Sequence, residues 1–523
     1  MMHKRLPILI LAVVMLLATC NFLYLATEKS GFHCDEIYSY GLSNNEFHYS
    51  IYNENDGIRW NTDEDIDAYM TAAYDSRFDY VGVYKNQTED VHPPLFYIVM
   101  HTISSFVPGV YSPLTVIVPN IIFALATAVF LYLIVMRLTK NTVISIFGVA
   151  FFLFSAICIN IVTYMRMYAM LMFFTTVVIY ITLCIIDDEF SNKLKIGLFI
   201  TVLLGAYTQY YFLIFMFGTA LCTCVLIWKN REKRLSYLKI LGITALVYIV
   251  IWPFVFKHLF FSGRGVQAFE NAVKPTFFEN LMNYVKVMGI GVGEAILVIS
   301  ILLIFAIVII IGIKKKKLLH HKHIILICAV SVFYFVVISK VAPFLTDRYI
   351  SPIIPMFTIF FLYALHCLGS IIGKKRVIVF VIALPLIFSC VLFNTQRVIY
   401  KEEASYKNLN YLYRISEERK LHWENYSNKK CLMIHNDEWE FLRNLPDYKR
   451  YQETAFVKMK EIELLKDETK LKNEQGFVLY IHNEINVEDV RRALTEYLGC
   501  KVYELLIPSD NRNYANIYWV TKE

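Results

Sequence analysis

TVIVPNIIFALATAVFLYLIVM, residues 115–136, decides the fold class of this chain, because its 22 residues include no charged side chain. An α-helix of that length covers about 33 Å, which is enough to cross the hydrocarbon core of a bilayer. RLTK, residues 137–140, follows directly and places two basic residues where the apolar run ends. Membrane proteins concentrate such residues in cytoplasmic loops, so the stretch predicts both a transmembrane helix and its direction.

The apolar character extends over most of the 523 residues. Hydrophobic residues make up 57% of the chain and charged residues 18%, with a mean hydropathy of +0.47. Soluble domains are about 45–50% apolar and about 25% charged. The composition therefore excludes a soluble enzyme, a disordered scaffold and a small disulfide-stapled secreted domain. The net charge of +7 resides in short loops between apolar runs and does not indicate nucleic-acid binding.

Apolar segments along the chain predict eleven membrane-spanning helices. The first, from Leu6 to about Ala26, is longer than the core of a signal peptide and is interpreted as an uncleaved membrane helix. HPPLFYIVMHTISSF, residues 92–106, is short for a span and predicts an interfacial or re-entrant helix that starts at its two prolines. The other ten predicted spans are 115–136, 142–161, 166–186, 194–209, 212–228, 238–256, 290–313, 322–342, 351–372 and 377–393.

The distribution of basic residues predicts the orientation. With the N-terminal HKR in the cytoplasm, four of the five later loops on that side are clearly basic and DDEFSNKLK is mixed. The first outer loop instead holds fourteen acidic and four basic residues between positions 27 and 91. We therefore predict a multi-pass cell-membrane protein with a cytoplasmic N-terminus and an extracytoplasmic C-terminus. The five inner loops are RLTK (137–140), DDEFSNKLK (187–195), KNREKRLSYLK (229–239), KKKKLLHHK (314–322) and GKKR (373–376).

The composition turns polar near residue 396, which predicts a membrane domain over 1–395 and a small extracytoplasmic α/β domain over 396–523. The first outer loop with its interfacial helices covers 27–113. In the second domain, KKCLMIHN, QGFVLYIHN and KVYELLIP predict strands, and DEWEFLRNL and VEDVRRALTEYLG predict amphipathic helices. Cys431 and Cys500 belong to this domain, and the sequence leaves open whether they are bonded.

Polar residues that could carry chemistry lie at the ends of spans and, on this topology, share the outer side. The segments are CDEIYS (34–39), VHPPL (91–95), YMRMY (164–168), TQYYF (208–212) and TDRY (346–349). Ionisable residues within membrane domains are costly and usually functional. Each segment also has a simpler interpretation: an acidic loop, a helix-entry turn at His92, arginines that contact lipid headgroups, or a belt of interfacial tyrosines.

The ordered set of motifs resembles a known class of enzymes. DE after the first helix, D-x-H-P-P-L before the second span, R-x-Y-A at the mouth of a later span and a late R-Y are similar to GT-C membrane glycosyltransferases that use polyprenyl-phosphate sugars. The resemblance is to glycosyltransferase family 39, with its protein O-mannosyltransferase-like and aminoarabinose-transferase-like members. It covers about residues 1–395 and implies a mainly α, polytopic GT-C-like fold.

The resemblance also implies roles for individual residues. Asp35 matches the catalytic base and Glu36 the neighbour that helps to shape the site. His92, Arg166 and Asp90 match further positions of the family's motifs. With the outer segments taken together, we assign Arg166, Arg348, His92, Tyr168 and Tyr349 to the donor phosphate and lipid, and Asp90, Gln209 and Tyr210 to substrate. Several relatives have R-x-D where this chain has Arg166-Met167-Tyr168. The acidic residue of that motif is therefore absent here, and a metal site that depends on it is in doubt. A divalent metal therefore stays open, and no other cofactor is predicted.

The predicted function is sugar transfer from a polyprenyl-phosphate donor to a hydroxyl acceptor at the outer membrane face. Asp35 removes the acceptor proton, and the arginines stabilise the leaving phosphate. The predicted partners are this donor, membrane lipid and a glycan, lipid or protein acceptor, and no nucleic acid. The alternative is a transporter or flippase for lipid-linked sugars. Ion-coupled transporters place ionisable groups near the bilayer midplane, where the predicted spans have almost none.

Overall fold

The computed structural model describes residues 2–47, 51, 57–301, 321–372, 376–402, 409–414, 416–510 and 514–522. The chain divides into two compact units. We call Met1–Leu25, Asp90–Phe96 and Val116–Asn410 the membrane unit, and Ala26–Glu89, Tyr97–Thr115 and Tyr411–Glu523 the sheet unit. The predicted boundary at residue 395 stays a prediction, and the grouping of the first outer loop with the C-terminal strands was not foreseen.

Long apolar helices form most of the membrane unit. They run in chain order as α1 (Met2–Glu28), α6 (Leu114–Thr139), α7 (Thr142–Leu153), α8 (Ala156–Thr163), α9 (Tyr168–Ile186), α10 (Asn192–Ala206), α11 (Tyr211–Leu226), α12 (Arg231–Ile251), α13 (Val255–Phe260), α14 (Gly263–Val273), α15 (Phe277–Val292), α16 (Glu294–Ile301), α17 (His321–Val341), α18 (Ile354–Ile372) and α19 (Arg376–Thr395). Large apolar side chains such as Ile122, Leu246 and Phe393 are exposed on these helices. Such surfaces suit contact with lipid rather than water.

Seven helices of the described residues are long and apolar enough to cross a membrane, and nine segments qualify if each of two bent helix pairs is one span. The bent pairs are α7 with α8, at 53°, and α15 with α16, at 111°. Two further predicted spans coincide with α10 and α11, which have 15 and 16 residues. The prediction of a polytopic, mainly helical membrane protein is confirmed. Residues 302–313 of one predicted span, and loop residues 314–320 and 373–375, lie outside the described residues.

The predicted cytoplasmic loops contact one another. Arg137, at the end of α6, forms an ion pair with Asp187 at 2.7 Å, and His323 Nε2 lies 2.8 Å from the same carboxylate. Lys233, at the start of α12, lies 2.5 Å from Asp188. These contacts gather loops after α6, α9 and α11 and the start of α17 at one end of the membrane unit. We call this group the charged loop cluster.

The sheet unit combines short helices with a six-stranded sheet in the order β1-β3-β2-β4-β6-β5. Strand β2 is parallel to β3 and β4, whereas the other pairings are antiparallel. The strands are β1 (Trp60–Asn61), β2 (Lys430–His435), β3 (Glu453–Lys458), β4 (Gly476–His482), β5 (Val502–Ile507) and β6 (Ala515–Thr521). Its helices are α2 (Cys34–Asn44), α3 (Asp63–Met70), α4 (Tyr80–Glu89), α20 (Glu417–Tyr426), α21 (Glu438–Leu442), α22 (Leu445–Tyr448), α23 (Thr469–Lys472) and α24 (Val487–Leu498). Helix α5 (Leu95–Phe106) begins directly after the two prolines.

Side chains on alternate strand positions build the two faces of the sheet. One face, with Leu432, Ile434 and Leu479, packs against α24 in a continuous apolar core. Cys500 belongs to that core, whereas Cys431 precedes Leu432 on the strand and therefore points to the opposite face. Both cysteines are buried and unbonded, so the bond that the sequence left open is not formed.

Candidate functional site

An irregular turn between α8 and α9 carries Arg166. Helix α8 ends at Thr163 and α9 begins at Tyr168, so the last carbonyls of α8 need partners outside the helix. The side-chain amide of Asn120, on α6, donates hydrogen bonds to the carbonyls of Tyr164 at 2.8 Å and Val162 at 3.3 Å. The turn is therefore fixed from a neighbouring helix, and only 3% of Arg166 is exposed.

Asp90, His92 and Arg166 form a chain of hydrogen bonds. The Nδ1 atom of His92 lies 2.8 Å from an Asp90 carboxylate oxygen, and its Nε2 atom lies 3.3 Å from a guanidinium nitrogen of Arg166. These two neighbours fix the tautomer of the His92 imidazole. Its Nδ1–H must donate to the Asp90 carboxylate, because Nε2 accepts a hydrogen bond from the Arg166 guanidinium group. This arrangement orients the guanidinium group through the imidazole ring.

Asp90 supplies the negative charge in the hydrogen-bonded group of Asp90, His92 and Arg166. Burial by itself raises the pKa of the Asp90 carboxyl group, but His92, Arg166 and the Val91 backbone N–H together outweigh burial and hold that pKa below its ordinary value. The carboxylate is therefore ionised at neutral pH, which the assigned His92 tautomer requires.

A cage of tyrosines surrounds Arg348. This residue lies on a 3₁₀ helix, Asp347–Ile353, and donates a hydrogen bond to the hydroxyl of Tyr164. Its guanidinium carbon lies 5.2 Å from the ring centroid of Tyr349, 5.3 Å from that of Tyr164 and 6.0 Å from that of Tyr168. Cation–π attraction to these rings stabilises a cation that is only 6% exposed.

A buried polar contact holds the 3₁₀ helix in place. The side-chain amide of Asn160, on α8, donates to the Asp347 carboxylate at 2.7 Å. The hydroxyl of Tyr334, on α17, donates to the carbonyl of Tyr349 at 2.8 Å. Because Tyr164 and Arg166 share one turn, the Arg348 cage and the Asp90 chain lie at the same end of the membrane unit.

Gln209 and Tyr210 lie in the turn between α10 and α11. The Tyr210 hydroxyl is 2.7 Å from Nδ1 of His258, and the indole N–H of Trp252 donates to it at 2.9 Å. Burial raises the pKa of this hydroxyl, and the nearby charge of Asp90 adds to the increase. The Leu95 backbone N–H donates a hydrogen bond to the Tyr207 carbonyl at 3.0 Å, and this bond connects the end of α10 to the 90–96 segment.

The sheet unit carries Asp35 and Glu36 in the first turn of α2. Glu36 is fully buried, forms a 3.0 Å ion pair with Lys29 and accepts the His33 backbone N–H at 2.7 Å. Asp35 is partly exposed, and the N-terminal turn of a helix stabilises negative charge. Asp35 is therefore the accessible carboxylate of the pair, and Glu36 is the buried one that pairs with Lys29.

Two groups in the described residues have ligand types and spacings that suit a metal ion: His33, Cys34 and Asp35, and a second group in the sheet. In the first group, His33 Nδ1 lies 3.6 Å from the Cys34 sulfur but accepts the Asp35 backbone N–H at 3.1 Å. A metal bound at Nδ1 would remove this cap from α2. The His33 Nδ1 atom of the first group therefore does not suit a metal ion.

The membrane unit brings together the eight predicted residues that it contains, and their roles stay predictions. Asp35 and Glu36 belong to the sheet unit, and that they act on the same substrate also stays a prediction. Sequence reasoning missed Tyr164, Asn160 and Lys29. Asn160 is a lone amide in an apolar run, and Tyr164 lies within the segment that contains Arg166, so both had a signal.

Of the comparisons with known proteins, the one with solved structures shows the fold. No protein-family model matches the chain, and no curated protein matches its sequence significantly. The crystal structure of ArnT from Cupriavidus metallidurans bound to undecaprenyl phosphate matches with a TM-score of 0.57 and 11% identity, over 97% of each chain. The apo structure of the same protein gives a TM-score of 0.52 and 12% identity, again over 97% of each chain. The chain thus has a GT-C fold, as its motifs predict.

Proposed function

We propose that this protein is a membrane glycosyltransferase that transfers a sugar from a polyprenyl-phosphate donor to a hydroxyl acceptor. The observation that carries the proposal is the pair of buried arginines at one end of the helical bundle, Arg166 and Arg348. The shared fold with ArnT, which was solved with undecaprenyl phosphate, supports a lipid phosphate as the donor's leaving group.

The arginines are suited to the leaving phosphate. In the reaction, the bond from the anomeric carbon to the phosphate oxygen breaks, and its electron pair stays on that oxygen. Guanidinium groups that are held in place before the reaction can stabilise the new charge without rearrangement, which lowers the barrier. Asp90 and His92 are positioning residues in this scheme, since they act by holding Arg166.

Asp35 is proposed as the general base. The acceptor hydroxyl forms a new bond to the anomeric carbon and transfers its proton to the Asp35 carboxylate. Glu36 supports this group by pairing with Lys29 and capping α2, so its contribution is to the position of Asp35. Charge is balanced, because the phosphodiester donor carries one negative charge and the polyprenyl phosphate product carries two. The proton that Asp35 takes from the acceptor hydroxyl accounts for the difference.

The remaining polar residues suit the sugar and the lipid. Tyr168 and Tyr349 present aromatic rings beside Arg348. The Tyr210 hydroxyl lies near the charge of Asp90, and Gln209 supplies an amide in the same turn. Apolar outer surfaces of the helices provide access for a long polyprenyl chain from the bilayer. The sugar and the acceptor are left open.

A donor panel tests this proposal. Purified protein in detergent is incubated with polyprenyl-phosphate sugars and a mixed acceptor extract, and release of polyprenyl phosphate is measured. Release with at least one sugar, lost in Asp35→Asn, is the expected result. A lipid-linked sugar transporter would instead move the donor across proteoliposome membranes without releasing polyprenyl phosphate, and that outcome contradicts the proposal.

A further inference from the structure

Two buried histidines end neighbouring parallel strands of the sheet unit. Ile434 on β2 is paired with Ile481 on β4, so the next residues, His435 and His482, end the strands side by side. Strand β3 lies on one side of β2 and β4 on the other, so the order of the parallel strands reverses at β2. Ligands of open α/β sheets bind at the carboxyl ends of strands around such a reversal.

Helix α21 places a carboxylate against this edge. The helix covers the sheet face opposite the α24 core, and Phe441 stacks on Phe456 of β3 with ring centroids 4.4 Å apart. This packing brings Glu440 Oε2 to 3.4 Å from His482 Nδ1. Ligand atoms of Glu440, His482 and the exposed Glu484 all lie within 4.8 Å of one another.

The spacing of Glu440 and His482 is long for a hydrogen bond. Charge-assisted N–H···O contacts usually measure about 2.7–2.9 Å. His482 Nδ1 also accepts a long hydrogen bond from the Glu484 backbone N–H at 3.4 Å, which is weaker than the 3.1 Å bond at His33, and its Nε2 atom is buried without a hydrogen-bond partner in the described part of the chain. The imidazole is thus fully buried with neither nitrogen in a contact of ordinary length.

The same spacing suits two ligands of one metal ion. Zinc binds histidine nitrogen and carboxylate oxygen at about 2.0–2.2 Å in a tetrahedron, whose ligand atoms are therefore about 3.3–3.6 Å apart. Calcium and magnesium prefer sites built entirely from oxygen. Glu440 is 3% exposed, and its Oε2 atom accepts the Asn436 backbone N–H at 2.7 Å, which leaves a second lone pair of that oxygen for a cation. A bound cation would favour the ionised form of this carboxylate, which burial disfavours.

We propose that Glu440, His482 and Glu484 bind a zinc-type divalent metal ion, with a water molecule as the fourth ligand. Glu440 and His482 already lie at the spacing that two ligands of one ion require. Glu484 is exposed and closes onto the ion by a side-chain rotation. The site lies within the sheet unit and does not depend on the proposed transferase activity.

Metal binding to the full-length protein in detergent tests this proposal. Chelator-stripped protein is dialysed against Zn²⁺, and bound zinc is counted by mass spectrometry and titrated by calorimetry. One equivalent should bind, and Co²⁺ in its place should give the visible absorption of a tetrahedral complex. Glu440→Gln, His482→Gln and Glu484→Gln should each weaken zinc binding by at least about 10–100-fold.

Matched variants separate this site from others. Glu424→Gln changes an exposed carboxylate on α20, and Cys34→Ser changes the other group with metal-ligand chemistry, so both should retain the full equivalent of zinc. Glu484 is exposed, and its substitution therefore leaves folding intact even if the two buried variants do not fold. Absence of zinc binding by the wild type, or unchanged affinity in Glu484→Gln and His482→Gln, would overturn the proposal.

Discussion

The guanidinium groups of Arg166 and Arg348 are held in different ways. Arg166 contacts the imidazole of His92, and Arg348 lies among three tyrosine rings. A guanidinium group is weakly hydrated, planar and able to stack, whereas an ammonium group is compact and strongly hydrated. Lysine therefore preserves the charge at either position but loses both the stacking and the planar fork that suits the proposed contact with phosphate.

We expect Arg166→Lys and Arg348→Lys each to retain only part of the transfer rate. The alanine variants should lose about 10²–10³-fold in kcat and less in donor affinity, because phosphate charge develops in the transition state. Single-turnover transfer measured beside donor binding distinguishes the two effects. Arg231→Lys, at an exposed position on α12, is the control. Wild-type rates in both alanine variants would identify the arginines as headgroup anchors.

In the proposed scheme His92 acts through Arg166, and the contact with Asp90 sets its tautomer. Asp90→Asn removes the charge that fixes the Nδ1 proton, so we expect kcat to fall by about 10–100-fold, the worth of one charged hydrogen bond. Asp90→Glu should recover part of this loss, and donor affinity should change less than kcat. Asp75→Asn, at an exposed position in the same outer loop, should have no effect. An equal loss in Asp90→Glu and Asp90→Asn would contradict the positioning role.

Asp35 is the proposed proton acceptor. Asp35→Asn keeps the side-chain shape and removes the base, so transfer should decrease by about 10²–10⁴-fold while protein level and donor binding stay unchanged. Asp63→Asn provides a matched control, since Asp63 also lies in the first turn of an exposed outer-loop helix. Near-normal turnover by Asp35→Asn would exclude the role.

Helix α2 depends on an ion pair that the sequence did not reveal. Lys29 and Glu36 are seven residues apart, and both side chains are fully buried. Lys29 also donates a hydrogen bond to the carbonyl of Tyr411, far along the chain. No local pattern specifies this arrangement, because the long-range carbonyl and the burial arise only when the sheet unit folds.

Breaking the pair should destabilise the protein. Lys29→Met leaves Glu36 buried without its cation, which costs about 3–5 kcal/mol. Adding Glu36→Gln should recover more than half of this loss, because glutamine is neutral and still accepts the His33 N–H. Denaturant unfolding of the detergent-solubilised protein measures both variants. A stable Lys29→Met single variant would show that the pair contributes little.

Other elements differ in how far local sequence determines them. Strands β2, β4 and β5 and helices α21 and α24 were predicted, because apolar runs or amphipathic spacing mark each one. Strand β6 was missed although Ile517-Tyr518-Trp519-Val520 carries a strong β signal. The two-residue strand β1 has no such signal, since it exists only through its pairing with Ala455 and Thr454 of β3.

At the scale of the whole molecule, the loops divide into two groups. The charged loop cluster joins Arg137, Asp187 and Lys233 at one end of the membrane unit. Arg166 lies in the turn before α9, Tyr210 in the turn between α10 and α11, and Arg348 between α17 and α18. Each position is at the other end of a helix that begins or ends at the charged loop cluster. The sequence predicted this division from charge alone, since loop charge reflects the side of the membrane rather than tertiary contacts.

The number of spans leaves the predicted orientation unchanged. Helices α10 and α11, of 15 and 16 residues, connect loops that Lys233 and Asp188 hold together. If these two short helices form a hairpin that does not cross, eleven spans become nine. Both numbers are odd, so either count keeps the predicted arrangement, in which the C-terminus lies opposite the N-terminus and the basic HKR segment is cytoplasmic.

We therefore expect alkaline phosphatase fused after Glu523 to be active, because that enzyme functions only outside the cytoplasm. A fusion truncated after Lys195, in a predicted inner loop, should be inactive, and a green fluorescent protein at the same position should fluoresce. A reporter after Gln209 distinguishes the two span counts: it should be active when α10 and α11 cross the membrane, which gives eleven spans, and inactive when they form a hairpin that does not cross, which gives nine. Cytoplasmic activity of the Glu523 fusion would contradict the orientation and place the sheet unit, with Asp35, on the side where the donor is not expected.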